Sequence, residues 1–120
     1  MKIVQREAQA ILDEFQPGHT EAFYEDQLGA RLYNLWIPHL RQVHCFTTRD
    51  THQSLVGILD MEIAHNTILE LKIGPKVYPK HLAQLRKYVQ CRIEAGMKVE
   101  NAAVVCFCDG GHVEIVSYKL

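Results

Sequence analysis

Gly57-Ile58-Leu59-Asp60-Met61-Glu62-Ile63-Ala64-His65-Asn66-Thr67-Ile68-Leu69-Glu70-Leu71-Lys72 is the stretch that decides the fold. Two β-rich runs, 55–63 and 67–73, flank a short polar break, which predicts a hairpin. Its register depends on the loop. A two-residue turn at His65-Asn66 sets Asp60 opposite Leu71 and leaves Glu70 and Lys72 on the other face, because side chains alternate along a strand. A three-residue loop, Ala64-His65-Asn66, sets Ile63 opposite Thr67 and Asp60 opposite Glu70. Such loops commonly end on a left-handed residue, and Asn tolerates that conformation. The second register therefore predicts a left-handed Asn66 or an equivalent bulge.

Outward from the hairpin, Pro38 marks a boundary, and the loose alternation of Leu40, Val43, Cys45 and Thr47 predicts a strand over 39–49. Upstream, Val4, Ala8, Ile11, Leu12 and Phe15 fall on one face of a helix over 3–15, which Pro17-Gly18 stops. Thr20 is the N-cap expected for a second helix, 21–36, with Tyr24, Leu28, Leu32 and Leu35 in one stripe. Downstream, Pro79 suits the first turn of a helix that Gly96 ends. Leu82, Leu85, Val89 and Ile93 form its apolar stripe. Residues 102–108 are a continuous apolar run that suits a buried strand. Asp109-Gly110-Gly111 turns the chain into a last strand, 112–118. The order α-α-β-β-β-α-β-β, with a helical crossover between the third and fourth strands, predicts one mixed sheet with helices packed on it. The expectation is a single domain over 1–120.

Composition agrees with an ordinary folded chain: 48% hydrophobic, 22% charged, net charge −1. No apolar run approaches the roughly 18 residues of a membrane span. The first residues, Met1 to Glu7, meet charge too early for a secretory leader. Cys45, Cys91, Cys106 and Cys108 form no CxxC pair and no disulfide framework. These features point to an intracellular protein, cytoplasmic or nuclear, with no membrane partner. The near-zero charge shows no overall basic character of the kind nucleic-acid binders often carry.

The chemistry sits on the hairpin. Asp60 and Glu70 on adjacent strands are a carboxylate pair able to hold a hard divalent cation, which prefers oxygen ligands. Lys72, two residues after Glu70, projects from the same strand face. It is placed to orient an attacking water or to steady developing phosphate charge. Glu62 shares the face of Asp60 by alternation, as a third ligand or as a polar strand end. Gln84 and Tyr88 lie four apart on the following helix and share a face. Glu21 opens the second helix, where the dipole favours negative charge. Each has a plainer reading: a cross-strand ion pair, a core-edge tyrosine, a capping acid.

Together these residues resemble a named family. Gly18, Glu21 and Tyr24 spell the motif of the GxxExxY proteins, and Glu25 and Leu28 continue its pattern. Gly57 to Asp60, Glu70 to Lys72, and His81 with Gln84 to Tyr88 follow in the family's order. That family is assigned to the PD-(D/E)XK nuclease-like superfamily. The resemblance implies a restriction-endonuclease-like α/β (α+β) fold, a mixed sheet with an αβββαβ core flanked by helices. It implies that Asp60, Glu70 and the Leu71 carbonyl bind Mg2+ or Mn2+, that Lys72 assists the attacking water, and that Glu21 lies near the metal. It implies that Gln84 and Tyr88 contact the site or the nucleic-acid backbone. Gly57-Ile58-Leu59 lacks the basic or polar residue often found beside this aspartate.

Other residues have structural readings. Cys106 and Cys108 share a strand face with His112 nearby, and suit small buried hydrophobes better than a zinc site. His44 and Cys45 lack a nucleophile arrangement. Trp36 ends a helix stripe and is expected in the core. Lys76, Lys80, Arg86, Lys87 and Arg92 surround the Gln84–Tyr88 helix, as a solvated face or as phosphate contacts. The expectation is a metal-dependent hydrolase of phosphodiester bonds, in DNA rather than RNA. The rival is a non-catalytic module of the same fold that binds nucleic acid or a protein partner. A third reading has a nuclease competent only as a homodimer or within a complex.

Overall fold

A computed structural model describes residues 1–120. The elements run α1 (Lys2–Phe15), α2 (Glu21–Asn34), β1 (His39–Arg49), β2 (His52–Ile63), β3 (Thr67–Gly74), α3 (Pro79–Glu94), β4 (Asn101–Cys108) and β5 (Val113–Ser117). The five strands form one mixed sheet in the order β1-β2-β3-β4-β5. Only β3 and β4 are parallel, joined by the α3 crossover; every other pair is antiparallel. Helices α1 and α2 cover one face, where Ile11, Leu12, Tyr24, Leu28 and Leu32 meet Leu69, Leu71, Val105 and Phe107. Helix α3 covers the other, where Leu85, Tyr88 and Val89 meet Leu59, Ile68, Ala102 and Val104. No helix is long and apolar enough to cross a membrane.

The helix ends follow the expected chemistry. Thr20 caps α2, its hydroxyl accepting the Phe23 N–H at 3.1 Å. Pro79 opens α3, where its missing N–H costs no helical bond. Two expectations fail at the other end of α2. The helix stops at Asn34 rather than 36. Trp36 then takes a left-handed φ of 58°, which throws its indole out of the stripe. It is 92% exposed and no part of the core, and Leu35, the last residue of the predicted stripe, is exposed as well.

The β2–β3 hairpin has the odd register: Ile63 pairs with Thr67 and Met61 with Leu69. The left-handed residues are Ala64 (φ 53°) and His65 (φ 62°), not Asn66. Ile63 O accepts the Asn66 N–H at 3.2 Å, closing a tight turn that leaves Asn66 as the extra residue. Asn66 is held elsewhere. Its carbonyl accepts the Glu100 N–H at 2.8 Å, and its Nδ2 donates to Glu100 at 2.9 Å. These bonds tie the turn to the entry of β4.

One irregularity places the site. Side chains two apart on a strand normally share a face. Leu59 nevertheless packs with the α3 cluster, while Met61 packs with the α1–α2 cluster. Asp60 lies at the reversal. On β1, Arg41 pairs with Met61 and Val43 with Leu59, and Gln42 between them has a φ of 53°. Both strands thus turn over at the Gln42–Asp60 position, which has no ladder pairing.

Candidate active site

Asp60 and Glu70 lie where the β2–β3 ladder opens. Ladder pairing stops at Met61–Leu69, although both strands continue. Side chains replace the missing backbone bonds. The Asp60 N–H donates to Glu70 Oε1 at 3.0 Å, and the Leu71 N–H donates to Asp60 Oδ2 at 2.7 Å. Each acid therefore anchors the opposite strand, and the two carboxylates adjoin. Asp60 reaches toward α2, in a cleft of about 390 Å³ shared with Glu21, Ala22, Glu25, Gln42 and Leu71. Glu70 is only 2% exposed. It lies on the α3 side, where its charge raises the pKa of the Tyr88 phenol after burial. The two acids thus leave the sheet toward different layers, not from the one face that the register predicts, and they adjoin because the ladder opens between them.

Burial and mutual repulsion disfavour charge on both acids. Burial raises the Asp60 pKa, and the Leu71 N–H partly offsets this. Burial followed by the Asp60 charge pushes Glu70 up to about 8. Lys72 Nζ stands 3.8 Å from Glu70 Oε2 and supplies a compensating charge. Two adjoining buried carboxylates that resist ionisation are the donors a small divalent cation would stabilise. Mg2+ typically uses one or two carboxylates and fills its other positions with water and substrate. No group of three or more His, Cys, Asp or Glu side chains converges anywhere in the chain. The arrangement offers two oxygen donors of the kind a hard divalent ion takes and no set of side chains for a closed zinc cage.

Glu62 is not a third member of the set. It is buried on the α3 side, where Arg92 Nε donates to Oε2 and Arg92 Nη2 to Oε1 at 3.3 Å. That pair also removes Arg92 from the cations available to an outside anion. The four cysteines are all buried and unpaired, and Cys106 is pushed up to about 12, chiefly by burial, as suits a packing thiol.

The residues around Gly18 separate into two roles. Tyr24 is structural. It is 1% exposed, stacks on Phe107 at 4.4 Å, and its hydroxyl donates to Gln16 O at 2.8 Å. Gly18, at φ 108°, takes the backbone turn between α1 and α2 that other residues rarely adopt. Glu21 is exposed at the mouth of the cleft. Glu25, one turn on, is the residue that sequence reasoning left out of the site. It is buried, accepts Arg41 Nε at 3.0 Å and Gln42 Nε2 at 2.6 Å, and its charge raises the Asp60 pKa. The i, i+4 spacing from Glu21 was the available signal. Gln42 offered none, since its left-handed backbone reflects the strand reversal.

On the opposite side, Gln84 Nε2 donates to the Tyr88 hydroxyl at 3.4 Å. His81 begins the same helix and accepts the Tyr78 N–H on Nδ1 at 3.0 Å. Burial, Lys72 and Lys80 lower its pKa. The structure thus gathers Asp60, Glu70, Leu71 and Lys72 at the centre, Glu21 on one flank, and Gln84 with Tyr88 on the other.

Comparison with known proteins gives one result at family level. No curated protein and no solved structure matches the chain. The model of the PD-(D/E)XK nuclease superfamily matches residues 1–109, nearly the whole chain. With a mixed sheet that opens at an Asp–Glu–Lys centre between helical layers, the chain belongs to the PD-(D/E)XK nuclease superfamily.

Proposed function

We propose that this chain is a nuclease of the GxxExxY group that hydrolyses phosphodiester bonds in DNA, using Mg2+ or Mn2+ held by Asp60, Glu70 and the Leu71 carbonyl. The observation that carries the reading is the reciprocal anchoring of the two acids. Asp60 bonds the Leu71 N–H, Glu70 bonds the Asp60 N–H, and Lys72 stands 3.8 Å from Glu70. That arrangement holds two carboxylates together at a repulsive separation before any ligand arrives, the preorganisation that charge stabilisation in catalysis requires.

When bound, the ion would supply Lewis acidity toward the phosphoryl oxygen and lower the pKa of the attacking water. The protein's own groups do the rest. Asp60 and Glu70 fix the site and, once ionised, supply its negative charge. Lys72 is placed beside Glu70 to orient water and to meet charge developing on the phosphate. Gln84 and Tyr88 approach from α3 and offer neutral donors to the backbone of the strand. Glu21 borders the cleft on the α2 side and adds negative charge near Asp60.

A non-catalytic module remains the second reading, favoured by the lack of a third converging acidic side chain. Incubation of purified protein with single- and double-stranded DNA and Mn2+, beside Asp60→Ala and Lys72→Ala, separates the two. The nuclease reading expects cleavage by the wild type and its loss in both variants. No cleavage by the wild type, or equal cleavage by all three, would sink it.

A further inference from the structure

The chain's charge is nearly balanced overall but segregated between the two helical layers. Residues 1–34, which carry α1 and α2, hold six acids (Glu7, Asp13, Glu14, Glu21, Glu25, Asp26) against three bases (Lys2, Arg6, Arg31). From Leu71 to Ile93, the end of β3 and nearly all of α3, there are six bases (Lys72, Lys76, Lys80, Arg86, Lys87, Arg92) and no acid. Ion pairs do not cancel this difference. Arg6, Arg31, Arg41, Lys72, Arg92 and Lys98 have carboxylate partners, whereas Lys76, Lys80, Arg86 and Lys87 have none.

Three of these free cations, Lys76, Lys80 and Lys87, are also placed along one side of α3. Lys80, Ala83, Gln84 and Lys87 follow helical spacing along one stripe of α3. With Val56 and Tyr88 they line a cleft of about 280 Å³. Tyr88 joins that cleft to the acid centre, since its phenol rests on the β2 backbone at Gly57, three residues before Asp60. At the helix start, Lys76 Nζ and Lys80 Nζ lie 5.4 and 5.9 Å from the centre of the Tyr78 ring, and His81 packs edge-on against it. A basic lane therefore runs from Tyr78 along α3, past Gln84 and Tyr88 to Lys87, beside the acid pair, and Glu94 at the end of the helix closes it.

We infer that this lane is the docking face for a nucleic-acid strand, with Lys80 and Lys87 each neutralising a phosphate. The α2-side cleft, where Asp60 and Leu71 meet Glu21 and Glu25, repels a strand unless a cation offsets its charge, so the strand approaches from the α3 side. The inference rests on the nuclease reading of the site and adds the path by which the strand reaches it. Two turns of helix separate the two lysines, so they meet different phosphates. The polarity also fits a balanced net charge: the acids of α1 and α2 stand on the layer turned from the lane.

The test is binding of a fluorescein-labelled single-stranded oligonucleotide by anisotropy, over a KCl series with EDTA present. The proteins are wild type, K80Q/K87Q, and K2Q as a control on α1. All three substituted lysines are exposed, so folding is checked simply by a thermal melt. Each phosphate contact on a single strand contributes about 0.7 to the slope of log affinity against log salt. The double variant is expected to lose about 1.4 from that slope and to bind at least about tenfold more weakly at low salt. K2Q is expected to match wild type. Equal slopes for wild type and K80Q/K87Q, an equal loss in K2Q, or no wild-type binding at low salt would overturn the docking face. A wild type that binds with the expected slope but does not cut DNA with Mn2+ leaves the docking face standing and sinks the nuclease reading. Cleavage with unchanged binding by the double variant does the reverse.

Discussion

A Cβ on Gly57 would lie 2.5 Å from the Tyr88 hydroxyl and 2.9 Å from its Cε1. The phenol therefore rests directly on the β2 backbone three residues before Asp60. Glycine at this position is the device that lets α3 deliver Tyr88 to the acid pair. Gly57→Ala should cost about 1–3 kcal/mol of stability by overpacking and should push the phenol away from the site. In a Tyr88→Ala background the same change should cost almost nothing, because the clashing ring is gone. Urea denaturation of the four proteins measures this coupling. An equal cost in both backgrounds would show that Gly57 is there for another reason.

Glu25 and Arg41 form a pair of unequal burial, with side chains 7% and 37% exposed. Loss of Arg41 leaves Glu25 beside Asp60 without its counter-charge. A fully buried pair would lose about 3–5 kcal/mol on such a change. The exposure of Arg41 reduces this to about 1–2 kcal/mol. Arg41→Gln should therefore destabilise the chain, and Glu25→Gln in the same protein should recover part of the loss. A double variant no more stable than Arg41→Gln would contradict the pairing.

Glu62 provides a contrast within the same strand. Its partner Arg92 lies on α3, one turn beyond Tyr88. Arg92→Ala would leave a buried carboxylate uncompensated and should lower stability by about 2–4 kcal/mol. Glu62→Gln should leave DNA cleavage near wild-type values at a temperature where the variant is folded. Abolished cleavage in a folded Glu62→Gln protein would return Glu62 to the site.

The acid pair also predicts a pH dependence of stability. Glu70 is raised from 4.5 to about 8, and Asp60 moves in the same direction. A raised acid keeps its proton in the native state after the unfolded chain has lost it. The stability it contributes is complete below about pH 4.5 and is lost as pH rises through about 8. In EDTA, wild-type stability should therefore fall between those values, by at most about 1.4 kcal/mol per pH unit for this proton. Glu70→Gln should flatten that part of the profile. Divalent metal should oppose the fall, because its binding displaces the proton. A wild-type curve parallel to that of Glu70→Gln would contradict the raised Glu70.

Most of the architecture was legible because local patterns carried it. The stripe of α1, the Thr20 cap, Pro79 and the apolar run 102–108 each match their elements closely. The stripe of α3 holds at Leu85 and Val89, but Ile93 is exposed, and Tyr88 and Cys91 complete the buried face. The odd hairpin register was legible from the loop alternatives, but its backbone was not. Ala64 and His65 take the left-handed turn that sequence preference assigns to Asn66, whose own groups are committed to Glu100 and Thr67. Trp36 was misplaced because a helical stripe says nothing about where the helix ends. The reversal at Gln42 and Asp60 was also hidden, since strict alternation is the assumption by which strands are read. That reversal decides which neighbours the two acids have. Charge segregation was present in the sequence, but its meaning depended on learning that α1–α2 and α3 lie on opposite faces of the sheet.

The most direct measurement is titration of Mn2+ into the protein by isothermal calorimetry, comparing wild type with Asp60→Asn, Glu70→Gln and Glu62→Gln. The account predicts one site in the wild type, affinity at least about tenfold weaker in Asp60→Asn and in Glu70→Gln, and wild-type affinity in Glu62→Gln. Undiminished Mn2+ binding in both Asp60→Asn and Glu70→Gln, or no Mn2+ binding by the wild type, would contradict the central claim that these two acids form a metal-holding catalytic pair.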